Sequence, residues 1–289
     1  MITPFQRFKT IDDIRPYLDD DNSIIYPICD NVMFVANKCV DPFNDDCIVY
    51  DKDQATILGL YHKQVMLYLD YIQAYKENKL HLIFLYQRII YEAYIKMRYL
   101  MKYGADAQNS YRLYSYKNRK DFFDSHSSED SGYFKVRNDK FLLDLADDDF
   151  NLEDFKNMNK SFGGKNFKQL VAEFSEEDFY SSIYGIGSDP IHSDWGEIRQ
   201  IYVHKTIDNK YTTYNTNKQN VHFRILIPIA DLIIDSSIHF INWNQNIDSS
   251  FNIMLPYKDI LIEMKRMCRL IMTVVFEDYQ KNPDKYMSE

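Results

Sequence analysis

From Leu80 to Tyr103 the chain reads LHLIFLYQRIIYEAYIKMRYLMKY, with no glycine or proline before Gly104. Its strongest apolar residues (Leu82, Ile89, Ile90, Tyr94, Met97, Leu100) recur at helical spacing, so the stretch predicts one long helix ended by Gly104 at its C′ position. Asp53 predicts the N-cap of a second long helix just upstream, over residues 54–77. Its apolar positions include Ile57, Leu60, Tyr61, Val65, Tyr68, Tyr71 and Ile72. Asn78 and Lys79 leave only a brief connection between the two, which predicts an antiparallel helical hairpin at the centre of the fold.

The rest of the chain is read around that hairpin. Residues 1–50 mix apolar groups with Pro16, Pro27 and Pro42, predicting an irregular N-terminal arm packed on the body. Residues 51–289 are expected to form one helical bundle domain. Within it, 110–123 and 134–145 have helical spacing and are separated by the polar loop DSHSSEDSG. Alternation around Asp208-Asn209 predicts a small β-hairpin near 200–215. Two apolar helices follow, at about 225–243 and, after Pro256, 257–278. Glycine and proline number eight each, too few for a fold of many tight turns. The expected class is all-α, with about seven or eight helices.

Charge and cysteine usage narrow the partners. A formal net charge of −9 means that nucleic acid is not gripped over the whole surface, and only a local basic cleft remains open to it. Cys29, Cys39, Cys47 and Cys268 show no C-x-x-C pair and read as reduced thiols. The N-terminal residues lack the apolar core of a signal peptide, and the longest apolar run, Ile225 to Ile234, is interrupted by Pro228 and Asp231. The expectation is a cytoplasmic protein with no membrane partner. The abundance of tyrosine (24) and phenylalanine (19) has the mark of an AT-rich coding sequence rather than of an aromatic binding surface.

Three groups of residues could carry chemistry. On the central helix His81, Arg88, Glu92 and Lys96 share one stripe, and Arg88 and Glu92 stand four apart as neighbours. The ordinary alternative is a solvated ion pair, yet Phe84, Leu85, Tyr91, Ile95 and Tyr99 border the stripe. The second group is His192, flanked by Asp189 and Asp194 at a helix start, where a fixed tautomer would suit a general acid or base. Trp195 on the same turn would floor a pocket or fill core. The third is Arg119-Lys-Asp-Phe-Phe-Asp-Ser-His126, an Arg-x6-His pattern. One match to so short a pattern is expected by chance, and Ser125, Ser127, Ser128 and Gly132 predict a loop around it. No Walker A loop, GxGxxG, HExxH or GxSxG occurs, and no metal or cofactor is expected.

The Arg88/Glu92 helix, taken with the later Tyr180…Ser188…His192-x-x-Trp195 segment, resembles an uncharacterised bacterial all-helical family known only as a domain of unknown function. The resemblance covers about residues 55–280. It implies that Arg88, Glu92 and His192 face one another but supplies no reaction; the three are the expected catalytic groups, with Tyr180, Asp189 and Trp195 as binding residues. These proteins are in turn similar to HEPN helical bundles, many of them metal-independent ribonucleases built on an Arg-x4–6-His motif. That similarity implies RNA or a nucleotide as substrate, a setting in bacterial defence, and Arg119 and His126 as a weaker alternative pair. The competing expectation is a non-catalytic module that binds a protein partner or a second copy of itself. In that case Arg88, Glu92 and His192 form a structural network.

Overall fold

A computed structural model describes residues 8–18, 22–40, 50–126, 132–158, 162–174, 203–206, 210–213 and 223–281. The fold is all-α. Its helices are α1 (Ile11–Ile14), α2 (Ile25–Val40), α3 (Lys52–Lys76), α4 (Leu80–Ser115), α5 (Lys117–Ser125), α6 (Gly132–Asp147), α7 (Phe167–Ala172), α8 (Leu226–Ile247) and α9 (Leu255–Lys281). The one sheet among the described residues pairs β1 (Val203–Lys205) with β2 (Tyr211–Thr213) antiparallel, His204 opposite Thr212.

The chain divides into two compact units. Residues 1–49, 58–95 and 178–289 make the first, and 50–57 with 96–177 the second. Because α3 and α4 each contribute to both units, the division falls inside the predicted hairpin and not at residue 50.

In the first unit α8 packs against α2 and α9. Residues 25–40 are therefore a core helix, not the irregular arm expected of residues 1–50. The buried set Ile25, Ile28, Cys29, Val32, Val35, Ala36 and Cys39 follows the helical period. Pro27 does not break α2 because it stands in the first turn, where an amide hydrogen has no intrahelical partner to lose. Pro228 in α8 and Pro256 in α9 are placed in first turns in the same way. The segment Phe223–Ile247 is long and apolar enough to cross a membrane, with a mean hydropathy of 1.5 in its best window. Since 61% of that window is buried within the protein, its apolar residues are already used as core.

Tyr61 ties three of these helices together. Its ring stacks on Phe240 at 4.1 Å, and its hydroxyl lies 3.0 Å from Ala36 O and 2.8 Å from Ser237 Oγ. The turn between α3 and α4 is a Schellman cap. Asn78 takes a positive φ of 56°, Lys79 N–H donates to Ala74 O at 2.8 Å, and Asn78 N–H donates to Tyr75 O at 3.0 Å. Gln87 Nε2 then donates to Tyr71 Oη at 2.9 Å. Tyr71 lies seven residues before Asn78 and Gln87 nine after it, so the chain doubles back at the turn.

The second unit holds the first turn of α3. Its N-cap is Asp51, which exchanges hydrogen bonds with Gln54 in a capping box, and not Asp53. Asp53 is instead paired with Arg112 at 2.6 Å. Gly104 (φ 68°) breaks α4 as its position predicts, but the helix resumes and runs on to Ser115. A satellite core of Phe141, Leu145 and Phe150, with Leu113, Tyr116, Phe123 and Phe155 packed on it, joins α5 to α6. Full burial of a ring such as Phe141 contributes about 2–3 kcal/mol, which is what holds this short helix pair in register.

Candidate functional site

Two of the sequence-predicted groups fall differently in the structure. Arg88 and Glu92 lie on α4 in the first unit, with His81, and all three are half-buried. The stripe is therefore not a solvated face, which agrees with the greasy residues that border it. Tyr180, Asp189, His192 and Trp195 lie outside the described residues.

Arg119 and His126 are described, and the helix runs two residues further than expected before the polar loop, most of which lies outside the described residues. Residues 117–125 are helix α5, and His126 is its C-cap residue, its N–H donating to Phe123 O at 3.2 Å. The serines that suggested a loop start only as the helix ends, and Ser125 Oγ turns back to donate to Phe122 O at 2.8 Å. The Arg-x6-His pattern thus sits along one helix with its histidine at the end.

His126 is held on three sides. Its ring stacks on Phe134 at 5.3 Å with 13° between planes, and packs tilted by 32° against Phe122 at 4.5 Å. Its Nδ1 lies 2.8 Å from Phe122 O and 2.9 Å from Ser125 Oγ. A carbonyl oxygen only accepts, so in the neutral ring Nδ1 carries the proton and Nε2 keeps the lone pair. That is the tautomer a general base needs, with the ring orientation locked by stacking and by the backbone.

Arg119 lies in an open groove of about 840 Å³ between α5 and α6, lined also by Asn118, Phe122, Arg137, Lys140 and Asp144. Three cations face one carboxylate. Arg119 Nη2 pairs with Asp144 Oδ2 at 2.8 Å, while its guanidinium rests over the Phe141 ring at 5.3 Å. Arg137 Nη1 donates to Tyr133 Oη at 2.6 Å and keeps its other donors for the groove. Beneath, Tyr116 Oη donates to Asp148 Oδ2 at 2.6 Å and to Asp144 O at 3.2 Å. Burial, and after it the Asp148 carboxylate, push that phenol up to about 12, so it stays a neutral donor that fixes the α6 end of the groove. On a chain of net charge −9 this is the local basic cleft that the overall charge leaves open.

Arg137, Lys140 and Asp144 escaped the sequence reading. Their spacing of three and four residues puts them on one face of α6, and that was the signal available. Nothing in the sequence told which helix would lie opposite. Among the described residues no group of three or more His, Cys, Asp or Glu side chains is arranged to hold a metal ion.

A family model described as a family of unknown function matches residues 54–211, more than half of the chain. No curated protein matches the chain, and no solved structure matches it.

Proposed function

The chain belongs to that family of unknown function, DUF5677, so its activity has to be read from its own residues, and we propose that it is a cytoplasmic, metal-independent ribonuclease, HEPN-like in the broad sense and acting in bacterial defence. The observation that carries the reading is the His126 Nδ1–Phe122 O hydrogen bond of 2.8 Å beside a groove of three cations. It leaves Nε2 with its lone pair on a ring that packs on Phe122, one of the residues lining the groove.

The step needs only these groups. His126 Nε2 takes the proton of a ribose 2′-hydroxyl, whose oxygen attacks the adjacent phosphorus. The bond from phosphorus to the 5′-oxygen breaks, that oxygen takes a proton from water, and the hydroxide so formed takes back the proton held on His126. The products are a 2′,3′-cyclic phosphate and a 5′-hydroxyl. Arg119, helped by Arg137 and Lys140, stabilises the charge that gathers on the phosphoryl oxygens. Arg88 and Glu92, half-buried on α4, are kept as a second candidate pair for His192.

The test is cleavage of single-stranded RNA in the presence of EDTA. His126→Ala and His126→Gln should each lower the rate by about 10²–10⁴, the usual weight of a general base. Arg119→Ala should lower it as well, and the wild-type product should carry a cyclic phosphate. Full activity in both His126 variants would remove the reading.

A second reading, a non-catalytic module that docks a protein, is supported by the apolar residues Val136 (69% exposed) and Leu143 (65% exposed) on one face of α6. It predicts no RNA turnover by any variant, with Arg88 and Glu92 serving only packing.

A further inference from the structure

A second cavity of about 300 Å³ shares Phe123 with the phosphate groove as a wall. Asp124, His126, Phe134, Lys135, Asn138 and Leu142 are among its walls. Its size is at the lower end for ligand pockets, and its composition is that of one: apolar faces with a few converging polar groups. Phe134 and Leu142 supply the apolar faces. Asp124 is an acceptor, Lys135 a donor, and Asn138 offers both. The Asp124 ion pair with Lys120 takes one lone pair of Oδ2, so both carboxylate oxygens keep lone pairs with which to accept from a ligand.

We infer that this cavity takes one unstacked guanine of an RNA strand, so that the α5–α6 hairpin is a guanine-selective site and not a general phosphate grip. The inference rests on the reading of the neighbouring groove as the phosphate site. Unpaired bases are recognised by stacking and by hydrogen bonds to their edges. Among the four bases only guanine sets two adjacent donors, N1–H and N2–H2, beside an acceptor, O6. A carboxylate takes both donors, and an amide or ammonium group takes the oxygen. Adenine and cytosine offer Asp124 one amino group next to a ring nitrogen that repels it. Uracil offers one N–H between two carbonyls. His126 borders the same cavity, so a base seated there brings its own ribose to the Nε2 side, and its 3′-phosphate reaches toward Arg119 across Phe123.

The experiment titrates the full chain with pyrophosphate and with the 3′-monophosphates of guanosine (GMP), adenosine, cytidine and uridine. GMP should bind at least about tenfold more tightly than the other three nucleotides, the discrimination expected of a bidentate base contact. Asp124→Asn places an amide donor against the guanine donors and should reduce the preference to about threefold or less. Asp124 is exposed, so the variant keeps its fold. Equal affinity for the four nucleotides with retained pyrophosphate binding overturns the guanine site alone. So does a GMP preference that survives Asp124→Asn. Loss of pyrophosphate binding itself, in the wild type, overturns the phosphate groove and this inference with it.

Discussion

Asp144 is the one carboxylate among the cations of the α5–α6 groove, and replacing it has an effect of unusual sign. It pairs with Arg119 at 2.8 Å, the two side chains being 32% and 43% exposed. An ion pair so exposed contributes about 0–1 kcal/mol to folding, so Asp144→Asn should cost the melting temperature no more than about 2–4 °C. For an RNA phosphate in the groove the same carboxylate is a competitor and a repulsive charge. At about 6 Å and an effective dielectric constant of about 40–80, its removal is worth about 1 kcal/mol, or roughly fivefold in affinity. Asp144→Asn should therefore bind single-stranded RNA more tightly than wild type. Salt gives the second measure. If Arg119, Arg137 and Lys140 each neutralise one phosphate, log K falls with log salt at a slope of about −2, and affinity drops by about 18-fold between 50 and 200 mM. Removing one cation, as in Lys140→Ala, should bring that drop to about sevenfold. Fluorescence polarisation of a labelled oligoribonucleotide across a potassium chloride series reads both, with thermal melts as the check on folding. Weaker binding by a folded Asp144→Asn, or an unchanged salt slope in Lys140→Ala, would refute the assignment of the groove.

Two further outcomes test the scaffold of the second unit. Gly163 has φ +61°, and a Cβ built there would stand 2.6 Å from Tyr99 Oη and 2.9 Å from Tyr99 Cζ. Gly163→Ala should thus cost about 2 kcal/mol or more and lower the melting temperature by at least about 4 °C; a shift below one degree in a thermal scan would show that the approach to Tyr99 is not tight. The Tyr116 phenol, raised from an ordinary 10.0 to about 12, favours folding most below pH 10, and that contribution is lost as pH rises through about 12. Stability measured by denaturant titration between pH 9 and 12 should fall less steeply for Tyr116→Phe than for wild type, and parallel curves would contradict the burial of the phenol and, after it, the Asp148 contact.

What the sequence alone determined is the set of long helices and the turn between the central two. Periodicity over twenty or more residues leaves little choice of secondary structure, and Asn78 tolerates the positive φ on which the α3–α4 cap depends. It also marked the Arg88–Glu92 stripe as too greasy for open solvent, and the structure finds it half-buried. It misjudged residues 25–40 because Pro27 reads as a breaker unless its place in the helix is known. In the first turn it breaks nothing, and whether a turn is the first depends on where the helix begins. Tertiary structure alone decided the groove. Arg119 comes from α5 and Arg137, Lys140 and Asp144 from α6, and their meeting depends on Phe123 and Tyr116 packing on Phe141. It also decided the hydrogen bonding of His126. A pattern of residue types records that a histidine follows an arginine. Only the folded backbone, by placing Phe122 O 2.8 Å from Nδ1, selects which ring nitrogen of the neutral side chain keeps its lone pair.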